Sequence, residues 1–78
     1  MTYRIEISDG QSRNGLGETT ITAATWPAAM HKAAAWVAAG DYAGGKPGAA
    51  IPYTVTLGTQ TRHAYHILTR ADCYEVAP

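Results

Sequence analysis

Phenylalanine is absent from this 78-residue chain, cysteine occurs once, and six Lys or Arg balance six Asp or Glu. Each shortage excludes something. A lone Cys73 cannot close an intramolecular disulfide, so nothing covalent staples the fold and a reducing cytoplasm is the expected compartment. Balanced charge leaves no global field to draw in nucleic acid or an anionic membrane surface, which disfavours direct nucleic-acid binding unless a local patch supplies it. No apolar run approaches the roughly 18 residues of a membrane span, and Met1–Asp9 is charged and alternating rather than leader-like, so a soluble protein with no membrane partner is expected. With no phenylalanine, the core falls to two tryptophans, five tyrosines and a few aliphatics. The chain is too short for the repeated strand–helix units that wall a doubly wound nucleotide site; residues 1–78 have room for one domain of one sheet and one helix.

What is present is alternation. Tyr3, Ile5 and Ile7 alternate with Arg4, Glu6 and Ser8, the period of a strand with one buried face. Asn14-Gly15 signals a turn, and burial of Ile7 opposite Ile21 and Ile5 opposite Ala23 favours a three-residue Arg13-Asn14-Gly15 loop, with a second strand over 18–24. Thr25 before Trp26-Pro27 reads as a helix cap, since proline in the first turn gives up a donor that would be unpaired anyway. The helix is expected to run to about Ala39 and to stop at Gly40. Trp26, Met30, Ala33, Ala34 and Val37 form its core stripe with Trp36 at the edge, and Lys32, Ala35 and Ala39 face solvent. Gly40–Ala50 reads as a spacer loop, the most mobile part of the domain, from which two glycines could be deleted without loss of the fold. Pro52–Leu57 alternates again with Tyr53, Val55 and Leu57 inward. A turn at Gly58-Thr59-Gln60 leads into a strand over 62–68, with Tyr65 and Ile67 assigned to the core and Ala64 and His66 outside. A short turn at Thr69–Asp72 and a closing strand at Tyr74–Val76 follow. The expected fold is α+β: an antiparallel sheet of four to five strands, ββαββ, with one helix packed on one face. Arg4, Glu6, Ser8, Thr20, Thr22, Thr54, Thr56, Ala64 and His66 are left on the open face.

Gly40–Lys46 fits the start of a phosphate-binding loop, glycine, four residues, glycine, lysine. Such a loop works because a strand leads in and a helix follows, aiming backbone donors at the phosphate. Here the order is reversed, and Pro47 stands where the magnesium-binding hydroxyl is needed. His63 and His66, three apart on a strand, point to opposite faces and do not share a metal ion. Cys73 has no orienting partner close by in sequence. Glu6 and Glu18 come near one another on the hairpin, but an exposed sheet offers no desolvated pocket to tune an acid–base pair. Trp26 reads as core and Trp36 as a boundary residue, while Tyr65 beside Arg62 is the nearest approach to a base-stacking pair. The expectation is a non-enzyme with no catalytic set, no metal and no cofactor.

The hairpin start "TYRIEIS...GETTITA", the alanine-rich helix "WPAAMHKAAAWVAAG" and the strand-rich end "AYHILTRADCYEV" together resemble, in length and layout, the small phage-encoded anti-CRISPR proteins that act on type I systems. The resemblance implies an inhibitor in the infected bacterial cytoplasm, a monomer or weak dimer, whose partner is a subunit of the type I surveillance complex (Cascade). Members of that family often carry acidic, DNA-like surfaces. This chain is neutral, so steric contact is the mechanism implied, with Arg4, Glu6, Arg13, Lys46, Arg62 and His66 as contact residues. Residues 3–38 also look like antitoxin-type domains with a partial double-stranded-RNA-binding fold, although the proline- and cysteine-containing segment between the strands and the DNA-binding tail are missing. A third reading is direct nucleic-acid binding through Arg4, Arg62 and Arg70.

Overall fold

The computed structural model describes residues 1–7, 17–40, 42 and 45–73. Four strands and one helix follow in the order β1 (Thr2–Ile7), β2 (Glu18–Thr22), α1 (Trp26–Ala38), β3 (Ala50–Leu57) and β4 (Gln60–Ile67). The strands form one antiparallel sheet in the order β2-β1-β3-β4. The expected α+β architecture with one helix on one face is therefore the observed one. Arg13 with its loop, Ser8, and the closing strand expected at Tyr74–Val76 lie outside the described residues.

Alternation decides the core. Tyr3, Ile5 and Ile7 of β1 and Ile51, Tyr53 and Val55 of β3 are buried against Ala29, Ala33 and Val37 of α1. Two central strands thus supply the large side chains, and helix alanines let the helix lie close to them. Thr25 caps α1 as expected, its hydroxyl accepting from the Ala28 amide at 3.3 Å, with Pro27 in the first turn. The core stripe is turned slightly from the expected one: Ala29 is buried and Ala34 exposed. At the other end Gly40 takes no left-handed conformation; its amide instead tightens the last turn by bonding the Val37 carbonyl at 3.1 Å.

Register departs from expectation twice, for different reasons. β1 and β2 pair with Tyr3 opposite Ile21 and Ile5 opposite Thr19, four positions away from the pairing of Ile7 with Ile21. An even slip leaves every side chain on its own face, so Ile21 and Ala23 still point towards the helix. β3 and β4 are joined by only two residues, Gly58 and Thr59, with Leu57 opposite Gln60. Gly58 has φ of 60° and among the described residues no residue other than glycine has positive φ, so the turn is of type II′ with glycine first. The expected three-residue turn differs by one, and one residue flips the strand. Ala64 pairs with the inward Tyr53 and His66 with the inward Ile51, while Tyr65 and Ile67, assigned to the core, stand on the open face at 69% and 53% exposure.

The spacer reading of Gly40–Ala50 also gives way. Tyr42 is 2% exposed, and its hydroxyl donates to the Val37 carbonyl at 2.6 Å, plugging the C-terminal end of α1. A Cβ on Gly45 would meet Leu68 Cδ1 and the Tyr42 carbonyl oxygen at 3.0 Å. Lys46-Pro47-Gly48-Ala49 closes as a type II turn: the Ala49 amide bonds Lys46 O at 3.1 Å, and Gly48 has φ of 88°. The Gly48 amide then donates to the Leu68 carbonyl at 2.8 Å, and the Leu68 amide donates to the Ala49 carbonyl at 2.9 Å. The described part of the connection is thus tied to α1 through Tyr42 and to Leu68, just past β4, through Gly48 and Ala49.

Candidate binding surface

The uncovered face of the sheet can be read row by row, because directly paired residues share a face. One row is Thr20, Arg4, Thr56 and Thr61; the next is Glu18, Glu6, Thr54 and His63; beyond them Pro52 pairs with Tyr65 and Ala50 with Ile67. The face therefore grades from ionic at β2 and β1, through hydroxyls, to aromatic and aliphatic at the far end of β4.

At the ionic end Arg4 lies between two carboxylates. Its guanidinium is 2.8 Å from Glu6 and also pairs with Glu18, to which its Nε donates at 3.1 Å. The hydrogen bond to Glu18 is the main reason the Arg4 pKa is raised, with the charges of Glu18 and Glu6 adding to it. Glu6 and Glu18 do face each other, as their expected proximity required, but a cation clamps both. A shallow depression of about 450 Å³ bounded by Arg4, Glu18, Thr19 and Thr20 opens beside them. It is open to solvent and offers no dry environment for shifting a carboxylate upwards.

The residues expected to make contacts do not form one patch. Arg4 and Glu6 are on the open face, whereas Arg62 and His66 point to the helix side. Lys46 sits exposed in the type II turn, and Arg13 lies outside the described residues. Arg62 lies over the Trp26 ring, 4.5 Å from its centroid, and Trp26 in turn meets Tyr3 edge-on at 5.0 Å. Arg62 and Tyr65 are therefore on opposite faces and make no stacking pair. The Arg4, Arg62 and Arg70 cluster is divided in the same way, with Arg4 and Arg62 on different sides.

No family model matches the chain, and no curated protein or solved structure does so.

Two features were not anticipated from the sequence. The first is the exposed pair Tyr65 and Ile67, hidden by the error in the turn. The second is a polar latch behind β4. His66 Nε2 is 3.2 Å from Asp72 Oδ2, and that same oxygen accepts from the Thr69 amide at 2.8 Å and hydroxyl at 3.0 Å. The Thr69 backbone bond is the leading cause that holds the Asp72 carboxyl below its ordinary value; burial opposes it, and the Thr69 hydroxyl and His66 assist. The Tyr42 ring lies 5.9 Å from His66, and burial, with a smaller push from the Asp72 charge, raises its pKa. Tyr42 so stays a neutral donor to Val37. The spacing of threonine and aspartate three apart was the available sign of a side-chain-closed turn.

Proposed function

We propose that the protein is a non-catalytic interaction module that acts as an anti-CRISPR inhibitor, docking its open sheet face on a subunit of the type I surveillance complex and blocking target DNA by bulk. The observation that carries the binding reading is the pair Tyr65 and Ile67, side by side and exposed on a face that no described element covers. Large apolar side chains in such a position are the usual centre of a protein contact, with hydroxyls and charges as its rim. Neutralisation of Arg4 by two carboxylates fits steric blocking better than recognition of a phosphate backbone. The layout of the chain supplies the choice of partner. No helix of the described residues is long and apolar enough to cross a membrane, and the site proposed for its action is the bacterial cytoplasm.

Expression of the protein in hosts with active type I systems tests this reading. It is expected to restore phage plaquing and to co-purify with the surveillance complex, and Tyr65→Ala with Ile67→Thr is expected to lose both effects while keeping its fold. Failure to inhibit any type I subtype would remove the inhibitor assignment. Relief of growth arrest by a neighbouring toxin gene would move it to the antitoxin class.

A further inference from the structure

The two outer strands of the sheet differ in what they leave unpaired. Along antiparallel strands, hydrogen-bonded and non-bonded pairs alternate. The two-residue turn makes Leu57 and Gln60 a bonded pair, and the bond from Leu68 to Ala49 continues the same phase at the other end. Gln60, Arg62, Ala64 and His66 therefore spend their backbone groups on β3. The amides and carbonyls of Thr61, His63, Tyr65 and Ile67 point off the edge, where no described strand meets them. On β2 the bonds from Ile7 to Gly17 and between Met1 and Ala23 set the phase. Only Glu18, Thr20 and Thr22 face outwards there, and the Thr22 carbonyl is already taken by Lys32 Nζ at 2.7 Å.

Proteins blunt sheet edges with short strands, lysine, proline, bulges or a covering element. β2 uses three of these means: five residues, a charged Glu18 and the lysine over Thr22. β4 uses none. Its ladder with β3 runs unbroken through eight residues with no proline, lysine or acid, and its one formal charge, Arg62, is folded over Trp26.

We propose that β4 is a homodimer interface, in which two copies pair their β4 edges antiparallel across a two-fold axis at Ala64 and build a continuous eight-stranded sheet. A second copy is the occupant because the edge is self-complementary: an antiparallel strand matches itself by a two-fold. In this register the outward-pointing groups of Thr61, His63, Tyr65 and Ile67, which no described strand meets, face those of Ile67, Tyr65, His63 and Thr61 of the second copy, so none is left over. Ala64 has the smallest side chain on β4 and meets itself on the helix side, where bulk would obstruct two helix layers. On the open face Tyr65 stands beside His63 of the second copy and diagonally within reach of its Tyr65. The zero formal charge of the chain raises no net repulsion between copies. The pairing joins two Tyr65–Ile67 patches into one surface, yet it concerns the protein alone and stands or falls independently of any CRISPR partner.

Sedimentation across a concentration series, with backbone hydrogen exchange, tests the pairing. The expected result is a species of twice the 8.3 kDa chain mass, with amides of Thr61, His63, Tyr65 and Ile67 gaining protection as it forms. His63→Pro removes an amide that β3 does not use, so it should leave the circular dichroism of the monomer intact and abolish the dimer. Thr61→Lys with Tyr65→Lys should do the same by the lysine route if proline proves too disruptive. Thr20→Pro, the equivalent change on β2, should leave the dimer in place. A monomer at all concentrations overturns the proposal. So does a dimer that survives both β4 variants, or one that is lost with Thr20→Pro and kept with His63→Pro.

Discussion

The β2 and β4 flanks of the sheet face the same helix and are sealed by opposite means. Under β2 the seal is apolar and simple: half-buried Ile21 packs on the core, and Lys32 reaches up to the strand's last carbonyl. Under β4 the inward positions are Gln60, Arg62, Ala64 and His66, residues that cannot fill a core unaided. Trp26 takes Arg62, while Tyr42 and the Thr69–Asp72 turn take His66. A flank built from polar side chains needs partners from elsewhere in the chain, and these come from the first residue of α1 and from two loops. The β4 side therefore depends on its connections far more than the β2 side does.

The largest effect should follow from removing that dependence. Tyr42→Ala deletes a nearly fully buried ring and one of the two donors to the Val37 carbonyl, and is expected to cost about 3–5 kcal/mol. For a domain of this size that is close to global unfolding. Ile21→Ala on the half-buried β2 flank should cost only about 1 kcal/mol, since less surface returns to water. Urea denaturation of the two variants measures the contrast, and equal losses would refute it. Deletion of two glycines from the connection between α1 and β3 should destabilise, because it drags Tyr42 off Val37 and Gly45 off Leu68.

Acid should act on the Asp72 latch of the β4 flank. Asp72 has a depressed pKa in the folded state, so its contribution is fully present above the unfolded value of about 4 and is lost as pH falls through the lower folded value. Asp72→Asn should be less stable than the parent at neutral pH and should converge on it as pH falls below the depressed folded value of the carboxyl. Denaturation midpoints over that range, with no convergence, would show the latch to be idle. Arg62→Ala loses a half-exposed contact with Trp26 and should cost about 0.5–1 kcal/mol, independent of pH over the same window.

How much of this was legible in the sequence depended on the range of the interaction. The alternation of β1 and β3 and the Thr25-Trp26-Pro27 cap are local, and each lies where the residues place it. The facing of β4 was decided by whether its turn has two residues or three, a matter of one glycine's conformation, and the hydrophobicity of Tyr65 and Ile67 pointed the wrong way. Such a conflict between pattern and register is what an outward-facing contact looks like. Tyr42 was unreadable for another reason: a tyrosine among glycines resembles loop, and only the end of α1 gives its hydroxyl a partner. Of the contact residues inferred beforehand, Arg4 and Glu6 share a surface because they lie two apart on a strand. Arg62 and His66 followed the fate of β4.

A smaller effect is expected at the centre of the sheet, between the two flanks. The Tyr3 hydroxyl is buried and has no hydrogen-bond partner among the described residues, while its ring is held edge-on by Trp26. Removing a buried group that is not paired relieves its desolvation cost without leaving another orphan. Tyr3→Phe should therefore be neutral or stabilising by up to about 1 kcal/mol, and a clear loss of stability would mean that the hydroxyl has a partner.

The smallest effect belongs to the ionic end of β2, and it separates the flanks by their response to salt. Arg4, Glu6 and Glu18 are all well exposed, so their attraction is screened by solvent and by ions. Arg4→Gln removes the cation that lies between two carboxylates directly opposite one another on neighbouring strands. Unclamped like charges in that position repel. The variant should melt slightly below the parent at low salt and coincide with it near 1 M salt, where the screening length falls to about 3 Å. The shielded His66–Asp72 contact gives no such convergence: the deficit of Asp72→Ala should persist in high salt, because it removes the oxygen that accepts two hydrogen bonds from Thr69. Thermal melts of both variants at two salt concentrations read the difference directly, and a salt-sensitive β4 latch beside a salt-insensitive Arg4 would reverse the assignment of the two ends.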